Sequence, residues 1–88
     1  MSNNVKKKTV KVHLYDILAA LIYFGHKVTP QDIAEHLRGD LWSDVEVDVI
    51  EDAVRVTLET ELEDSEDHYG LRENNGAYWL NYRINEFN

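Results

Sequence analysis

The residues that most restrict the fold lie near the end of the chain, where two alternating segments flank the Asn-Gly pair at residues 75–76. Asn-Gly is the pair that most readily adopts the type I′ turn of a two-residue β-hairpin. With this pair in the turn, the register places Arg72 opposite Trp79 and Leu71 opposite Leu80. We therefore expect an antiparallel hairpin that must pack on the rest of the domain.

Alternation along the two predicted strands gives the hairpin an inner and an outer face. The inner face is almost entirely apolar, so we expect it to cover the helices; it comprises Tyr69, Leu71, Tyr78, Leu80, Tyr82 and Ile84. The outer face is expected to be open to water and comprises Arg72, Asn74, Trp79, Asn81 and Arg83.

Two short helices are predicted upstream from apolar residues at three-and-four spacing and from end signals. The first begins at about His13 and ends at Gly25, since glycine tolerates the left-handed turn that closes many helices. Thr29 and Pro30 start the second, which Gly39 is expected to end. The predicted inner positions are Leu14, Ile17, Leu18, Leu21 and Ile22 in the first helix and Ile33, Ala34 and Leu37 in the second.

A third helix is predicted from about Asp44 to about Thr60, after a Ser-x-x-Glu capping box formed by Ser43 and Glu46. Valines also alternate here as they would in a strand, so a change to strand near Val54 remains an alternative. On a helical wheel the apolar residues form one broad arc: Val45, Val47, Val49, Ile50, Ala53, Val54, Val56 and Leu58. The acid-rich segment 61–67 that follows opposes the helix dipole and is predicted to be a solvated loop.

The 88 residues suffice for one domain, at residues 9–88, preceded by a flexible basic arm at residues 1–8. No cysteine is present, which excludes disulfides and thiolate metal sites and fits a reducing compartment. No segment approaches the roughly 20 apolar residues that span a bilayer. We therefore expect a cytoplasmic protein without membrane contact.

Charge is distributed unevenly along the chain, which has a net charge of -8. Residues 1–28 carry five lysines against one aspartate, a net +4, whereas residues 29–67 carry two arginines against fourteen acids, a net -12. The remaining residues are neutral in sum. The molecule is thus basic at its start and strongly acidic in its middle.

Three helices followed by a hairpin, with a helix-turn-helix spacing between the second and third helices, is the order of the winged-helix fold. The stretches "GHKVTPQDIAEHL" and "YGLRENNGAYWLNYRI" resemble the entry to its second helix and its wing. The resemblance implies an α+β domain that works in transcription, usually with basic and amide side chains of the third helix in the DNA major groove. This chain departs from that pattern, because its third helix is acidic.

Acidic side chains would meet a like-charged duplex, so insertion of this helix into DNA is not expected. We interpret the chain as a small regulatory or inhibitory binding protein, in its strongest form a DNA mimic such as small phage-encoded inhibitors provide. It would dock on a basic, nucleic-acid-handling protein. The residues predicted to bind protein are Asp48, Glu51, Asp52, Glu61, Glu63, Asp64 and Trp79. A solvated polar face with no partner is the alternative interpretation of the same charges.

A second hypothesis is a transcription regulator that contacts DNA through the wing and the N-terminal lysines. The residues predicted to bind nucleic acid are Lys6, Lys7, Lys8, Lys11, Arg72, Trp79 and Arg83. Alternatively, Arg72 or the N-terminal segment simply covers Trp79. A third hypothesis is a structural role with homodimerisation, through the first helix or through pairing of opposite charges.

Catalysis is not expected, because no nucleophile motif or phosphate-binding loop is present. The four histidines are scattered, and "DIAEH" at residues 32–36 lacks the first histidine of a zinc helix. The sequence therefore predicts no catalytic residue, no metal site and no cofactor.

Overall fold

The computed structural model describes residues 10–81. Its elements are α1 (Leu14–Phe24), α2 (Pro30–Asp40), α3 (Val47–Tyr69), β1 (Leu71–Asn74) and β2 (Ala77–Leu80). The expected α+β class, three helices with a C-terminal two-stranded antiparallel hairpin, is confirmed. The predicted basic arm at residues 1–8 and the inner and outer positions assigned to Tyr82, Arg83 and Ile84 lie outside the described residues.

Both ends of α1 and the start of α2 lie where the sequence predicts them. The Asp16 carboxylate accepts a hydrogen bond from the backbone N–H of His13, and Gly25 closes α1 in the left-handed region at φ 73°. In α2, Thr29 Oγ1 accepts from the N–H of Asp32, whose carboxylate accepts from the N–H of Thr29. The expected stop at Gly39 is wrong by one residue, because the helix continues through Asp40.

The predicted start of α3 is wrong, because Ser43 and Glu46 do not form the N-terminal cap. The helix begins at Val47, and Glu46 is the N-cap residue without a side-chain capping bond. Val45 is buried in the core from a turn in which its N–H donates to the carbonyl of Trp42. Arg38 Nε donates to the Val45 carbonyl at 2.7 Å, which holds this turn against α2. The tertiary contacts of Val45 thus delay the helix by one turn.

The predicted end of α3 at about Thr60 is wrong as well. The helix has no change to strand near Val54, and the predicted loop at residues 61–67 is its last two turns. Leu62 packs against the core and Ser65 is buried, so these turns gain contacts that outweigh the unfavourable dipole. Gly70, at φ 73°, then ends a helix of 23 residues.

The hairpin has the predicted turn and register. Asn75 and Gly76 both have positive φ, at 54° and 85°, and Arg72 lies opposite Trp79. The placement of Tyr69 on a strand is wrong, since Tyr69 is the last residue of α3. Val28, between α1 and α2, forms an isolated antiparallel bridge with Tyr78 and thereby connects the hairpin to the α1–α2 segment.

One hydrophobic core lies between the three helices and the hairpin, and it includes the fully buried Ile17, Ile33, Ile50, Leu58 and Leu71. Among the helix positions predicted to face this core, Ile22 is 56% exposed and Val56 is 62% exposed, and Leu14 and Val47 are half-buried but do not pack in the core. No helix in residues 10–81 combines the length and apolar character that crossing a membrane requires.

Candidate functional site

Four exposed carboxylates follow one side of α3, and we call them the acidic stripe: Asp48, Asp52, Glu59 and Glu63. At 3.6 residues per turn they fall within an arc of about 60°, and at 1.5 Å per residue they extend over about 22 Å. None of the four makes a hydrogen bond or an ion pair with another side chain of residues 10–81. The stripe is therefore a rigid row of negative charge whose members are held by a helix and not by each other.

Arg55 is the single basic residue between residues 39 and 67, and it lies on the same side of α3 as the acidic stripe. Its Nη2 atom donates to Glu51 Oε2 at 2.6 Å, and this hydrogen bond raises the pKa of Arg55. The Glu51 side chain is half-buried, and its carboxylate is already paired with Arg55. Of the residues predicted to bind protein, Glu51 is therefore less available to a partner than the four members of the stripe.

Glu61 and Asp64 lie away from the acidic stripe, in a groove between the C-terminal half of α3 and the start of α1. The groove has a volume of about 410 Å³, and its walls also include His13, Tyr15, Ser65, His68 and Tyr69. Ser65 Oγ is buried without a hydrogen-bond partner among the described residues. The six predicted acids therefore divide between two surfaces.

Trp79 lies apart from the acidic stripe. The Nζ atom of Lys27 is 4.8 Å from the centre of its indole ring, a cation-π arrangement, and both residues line a groove at the C-terminal end of α1. The neighbouring Tyr78 lies on the opposite face of the hairpin. The charges of Glu59 and Arg55 both act on its hydroxyl group. Burial raises the pKa of Tyr78, as do Glu73 and Glu59. Trp79 is accordingly not an apolar anchor beside the stripe.

The residues predicted to bind nucleic acid are also separated. Lys11 precedes α1, beside Val56 and Thr60, whereas Trp79 lies at the other end of α1. Arg72 pairs across the hairpin with Trp79 and donates from Nη1 to the Leu71 carbonyl. Lys6, Lys7, Lys8 and Arg83 are outside the described residues. Of the described members of this set, Arg72 and Trp79 are therefore adjacent and Lys11 stands apart from them, and the structure adds Lys27 to the Arg72–Trp79 pair.

A second exposed surface was not predicted from the sequence. All four exposed residues of α1 are uncharged and form what we call the tyrosine face: Tyr15, Ala19, Ile22 and Tyr23. Tyr15 meets Tyr69 edge to face with their hydroxyl oxygens 3.3 Å apart, and Tyr23 stacks on His36 at a ring distance of 4.5 Å. The hydrogen bond between the two hydroxyl groups raises the pKa of Tyr69.

Sequence reasoning missed Glu59 and Lys27 for different reasons. Glu59 is seven residues after Asp52, a spacing that places both on one side of a helix, and it lies within the helix predicted to end at about Thr60, so a local signal for it was present. Lys27 is 52 residues from Trp79 in the chain, and no local pattern connects them. The tyrosine face had a local signal, since its residues share one side of the helix.

The described residues define a three-helix α+β domain with an acidic helix and an adjoining hairpin. Neither a family model, nor a curated protein, nor a solved structure matches the chain. Any function must therefore be argued from the surfaces described above.

Proposed function

We propose that this chain is a winged-helix-like, non-enzymatic regulatory protein of the cytoplasm, whose acidic stripe docks on a basic surface of another protein. In its strongest form the stripe occupies a site that normally holds nucleic acid, as a DNA mimic does. The order of three helices and a hairpin supports the winged-helix assignment, and the Val28–Tyr78 bridge makes the hairpin continuous with the helices.

The observation that carries the proposal is the exposure of the acidic stripe, whose four members make no hydrogen bond or ion pair with another side chain in the described part of the chain. Four carboxylates along about 22 Å of helix create a persistent negative potential, and such potentials accelerate and orient encounter with positive surfaces. The backbone of α3 is anchored by Ile50, Val54 and Leu58, which are fully buried on its opposite side. A partner would therefore meet a preorganised row of charges and would not have to order a loop.

The same geometry argues against α3 as a DNA-reading helix. Affinity for a duplex comes largely from cations that neutralise phosphates, and base edges are read mainly by Arg, Lys, Asn and Gln. On the exposed side of α3, Arg55 is the one such residue, and it is paired with Glu51. The four carboxylates around it would repel the phosphates.

The experiment compares two double variants with equal charge changes. Asp52→Lys with Glu59→Lys reverses the centre of the acidic stripe, whereas Glu35→Lys with Asp40→Lys reverses two exposed acids on α2. Tagged wild-type and variant proteins are used to capture proteins from the native host, and each captured protein is purified and titrated by calorimetry. We expect the stripe variant to weaken binding at least 100-fold and the α2 variant to change it less than threefold.

Equal weakening by both double variants would show that only net charge matters and would contradict a docking role for the stripe. Circular dichroism of both variants provides the folding control, because all four positions are exposed. Retention of the same proteins by the stripe variant at wild-type affinity would also contradict the proposal.

The competing hypothesis, DNA binding through the wing, is supported by the basic and aromatic group of Lys27, Trp79 and Arg72. It requires the full chain to bind a labelled 20-base-pair duplex at low salt, with an affinity that falls steeply as salt is added. Fluorescence anisotropy up to 100 µM protein measures this. Binding that survives the stripe reversal and is lost on Trp79→Ala would replace our proposal with the DNA-binding one.

A further inference from the structure

The outer side of α1 is apolar although its inner side already packs on the core. Tyr15 and Tyr23 are 69% and 71% exposed, Ile22 is 56% exposed, and Ala19 between them is exposed too. These four residues fall within about 100° of arc, and no charged residue lies among them. A helix that is apolar all round is typically covered on all sides, so the tyrosine face has the character of an interface.

The aromatic rings of this face are held in place by their neighbours. Tyr15 is braced by Tyr69 at the end of α3, and Tyr23 is braced by His36 of α2. The ring planes of Tyr23 and His36 are 23° apart, and Phe24 contacts both rings edge-on. Because these side chains are already ordered, little rotamer entropy would be lost when another surface covers them.

We propose that the tyrosine face binds a second copy of this chain, with two α1 helices packed antiparallel across a two-fold axis at Ala19. Tyr15 and Tyr23 are each four residues from Ala19, so the axis brings Tyr15 of one copy opposite Tyr23 of the other. The small Ala19 side chains meet at the centre and permit the close helix approach of about 8 Å. The same patch thus serves both copies, as a two-fold interface requires.

The distribution of charge also favours the tyrosine face as the surface through which two copies associate. Each copy carries a net charge of -8, and two copies would repel each other most strongly through the acidic stripe. Repulsion is weaker through the tyrosine face, whose own residues are uncharged although acidic residues border it at both ends, Glu61 and Asp64 beside Tyr15 and Asp32 and Glu35 beside Tyr23. Screening of this repulsion should make the dimer tighter at high salt. Association through opposite charges, with the basic N-terminal region against acidic α3, would respond to salt in the opposite direction.

The available area matches a weak dimer. Since an aromatic side chain presents roughly 150–250 Å², the tyrosine face and the exposed parts of Tyr69 and His36 offer on the order of 500 Å² per copy. The total of about 1,000 Å² lies at the lower limit of specific interfaces. We therefore expect a dissociation constant on the order of 10–100 µM.

Sedimentation velocity of the full chain from 5 to 500 µM, at 50 and 500 mM NaCl, tests this inference. The wild type should pass from 10.3 kDa to twice that mass, with the dissociation constant falling at the higher salt concentration. Ala19→Arg places two cations at the axis and should weaken association at least tenfold. Its folding should be unaffected, since arginine is a good helix former and this position is exposed.

Thr60→Arg is the matched control, an equal charge change at an exposed position of α3 away from the tyrosine face. It should dimerise like the wild type. A monomer at every concentration overturns the inference, as does a dimer that persists in Ala19→Arg or that weakens at 500 mM NaCl. The acidic stripe is intact in both variants, so these outcomes leave the proposed function to its own experiment.

Discussion

Helices α1 and α3 pack on the same core but present opposite surfaces to solvent. The exposed side of α1 is aromatic and uncharged, whereas the exposed side of α3 carries the acidic stripe. The inner sides are alike, since both contribute fully buried aliphatic residues such as Ile17 and Ile50. The contrast shows that burial of the inner helix faces stabilises the fold. The outer faces contribute little to that burial, so their residues can differ and can serve different interactions.

The largest loss of stability should distinguish the inner side of α1 from its outer side. Both sides are apolar, so amino-acid composition does not distinguish them. Ile17→Ala should lower the free energy of unfolding by about 2–5 kcal/mol, because it opens a cavity in the core. Ile22→Ala, the same change on the tyrosine face, should cost less than about 1 kcal/mol. Urea denaturation at 2 µM protein measures both. Equal losses would mean that the outer side of α1 is covered within a single copy, and the contrast with α3 would fail.

A smaller effect should distinguish the ends of the two helices, which both close with glycine at φ 73°. Gly25→Ala should cost about 1–2 kcal/mol, the strain of a left-handed alanine, since its added carbon meets nothing within 4 Å. Gly70→Ala should cost at least about 1 kcal/mol more, because its Cβ would lie 2.6 Å from the carbonyl oxygen of Asn81.

Thermal unfolding of the two glycine variants under identical conditions measures this difference. The Asn81 N–H donates to the Gly70 carbonyl at 2.7 Å, so the hairpin closes directly on the end of α3. Equal costs at both glycines would indicate that the chain at Asn81 yields easily to the added methyl group.

The smallest change should be a gain in stability, and it concerns a residue on the inner side of α3. Ser65 Oγ is buried without a partner among the described residues, whereas the buried positions of α1 are all aliphatic. Ser65→Ala should therefore raise the free energy of unfolding by about 0.5–2 kcal/mol. Thr60→Ala, which removes an exposed hydroxyl from the same helix, should gain less than about 0.7 kcal/mol, from helix propensity alone. A loss of stability in Ser65→Ala, measured by urea denaturation, would show that the hydroxyl group is hydrogen-bonded.

The accuracy of the sequence-based predictions varied with the range of the interactions concerned. The Asn75-Gly76 turn and the Thr29-Pro30 helix start depend on residues within four positions, and both were predicted correctly. The capping box at Ser43 was predicted from the same kind of local signal and was wrong. There, burial of Val45 and its hydrogen bond from Arg38 compete with the cap, and no local pattern includes that competition.

The negative charge of the candidate site could be predicted from the sequence, but the arrangement of its carboxylates could not. An acidic third helix followed from the residues themselves, and Asp48, Asp52 and Glu63 are indeed on one exposed side. The division of the other acids between Arg55 and the groove near Tyr15 depends on where α3 ends and what it contacts. Because that end was predicted nine residues too early, the acidic segment 61–67 was interpreted as a loop.

The sequence by itself determined the class of the fold, the hairpin register, the boundaries of α1 and the concentration of negative charge in the middle of the chain. These depend on backbone preferences and side-chain bonds that act over a few residues. Tertiary structure alone decided the length of α3, the exposure of the tyrosine face and the pairing of Lys27 with Trp79. The physical reason is that burial depends on which surfaces of distant segments meet. The residues of a helix fix whether one of its faces is apolar or acidic, but only the packing of the other elements decides whether that face is covered.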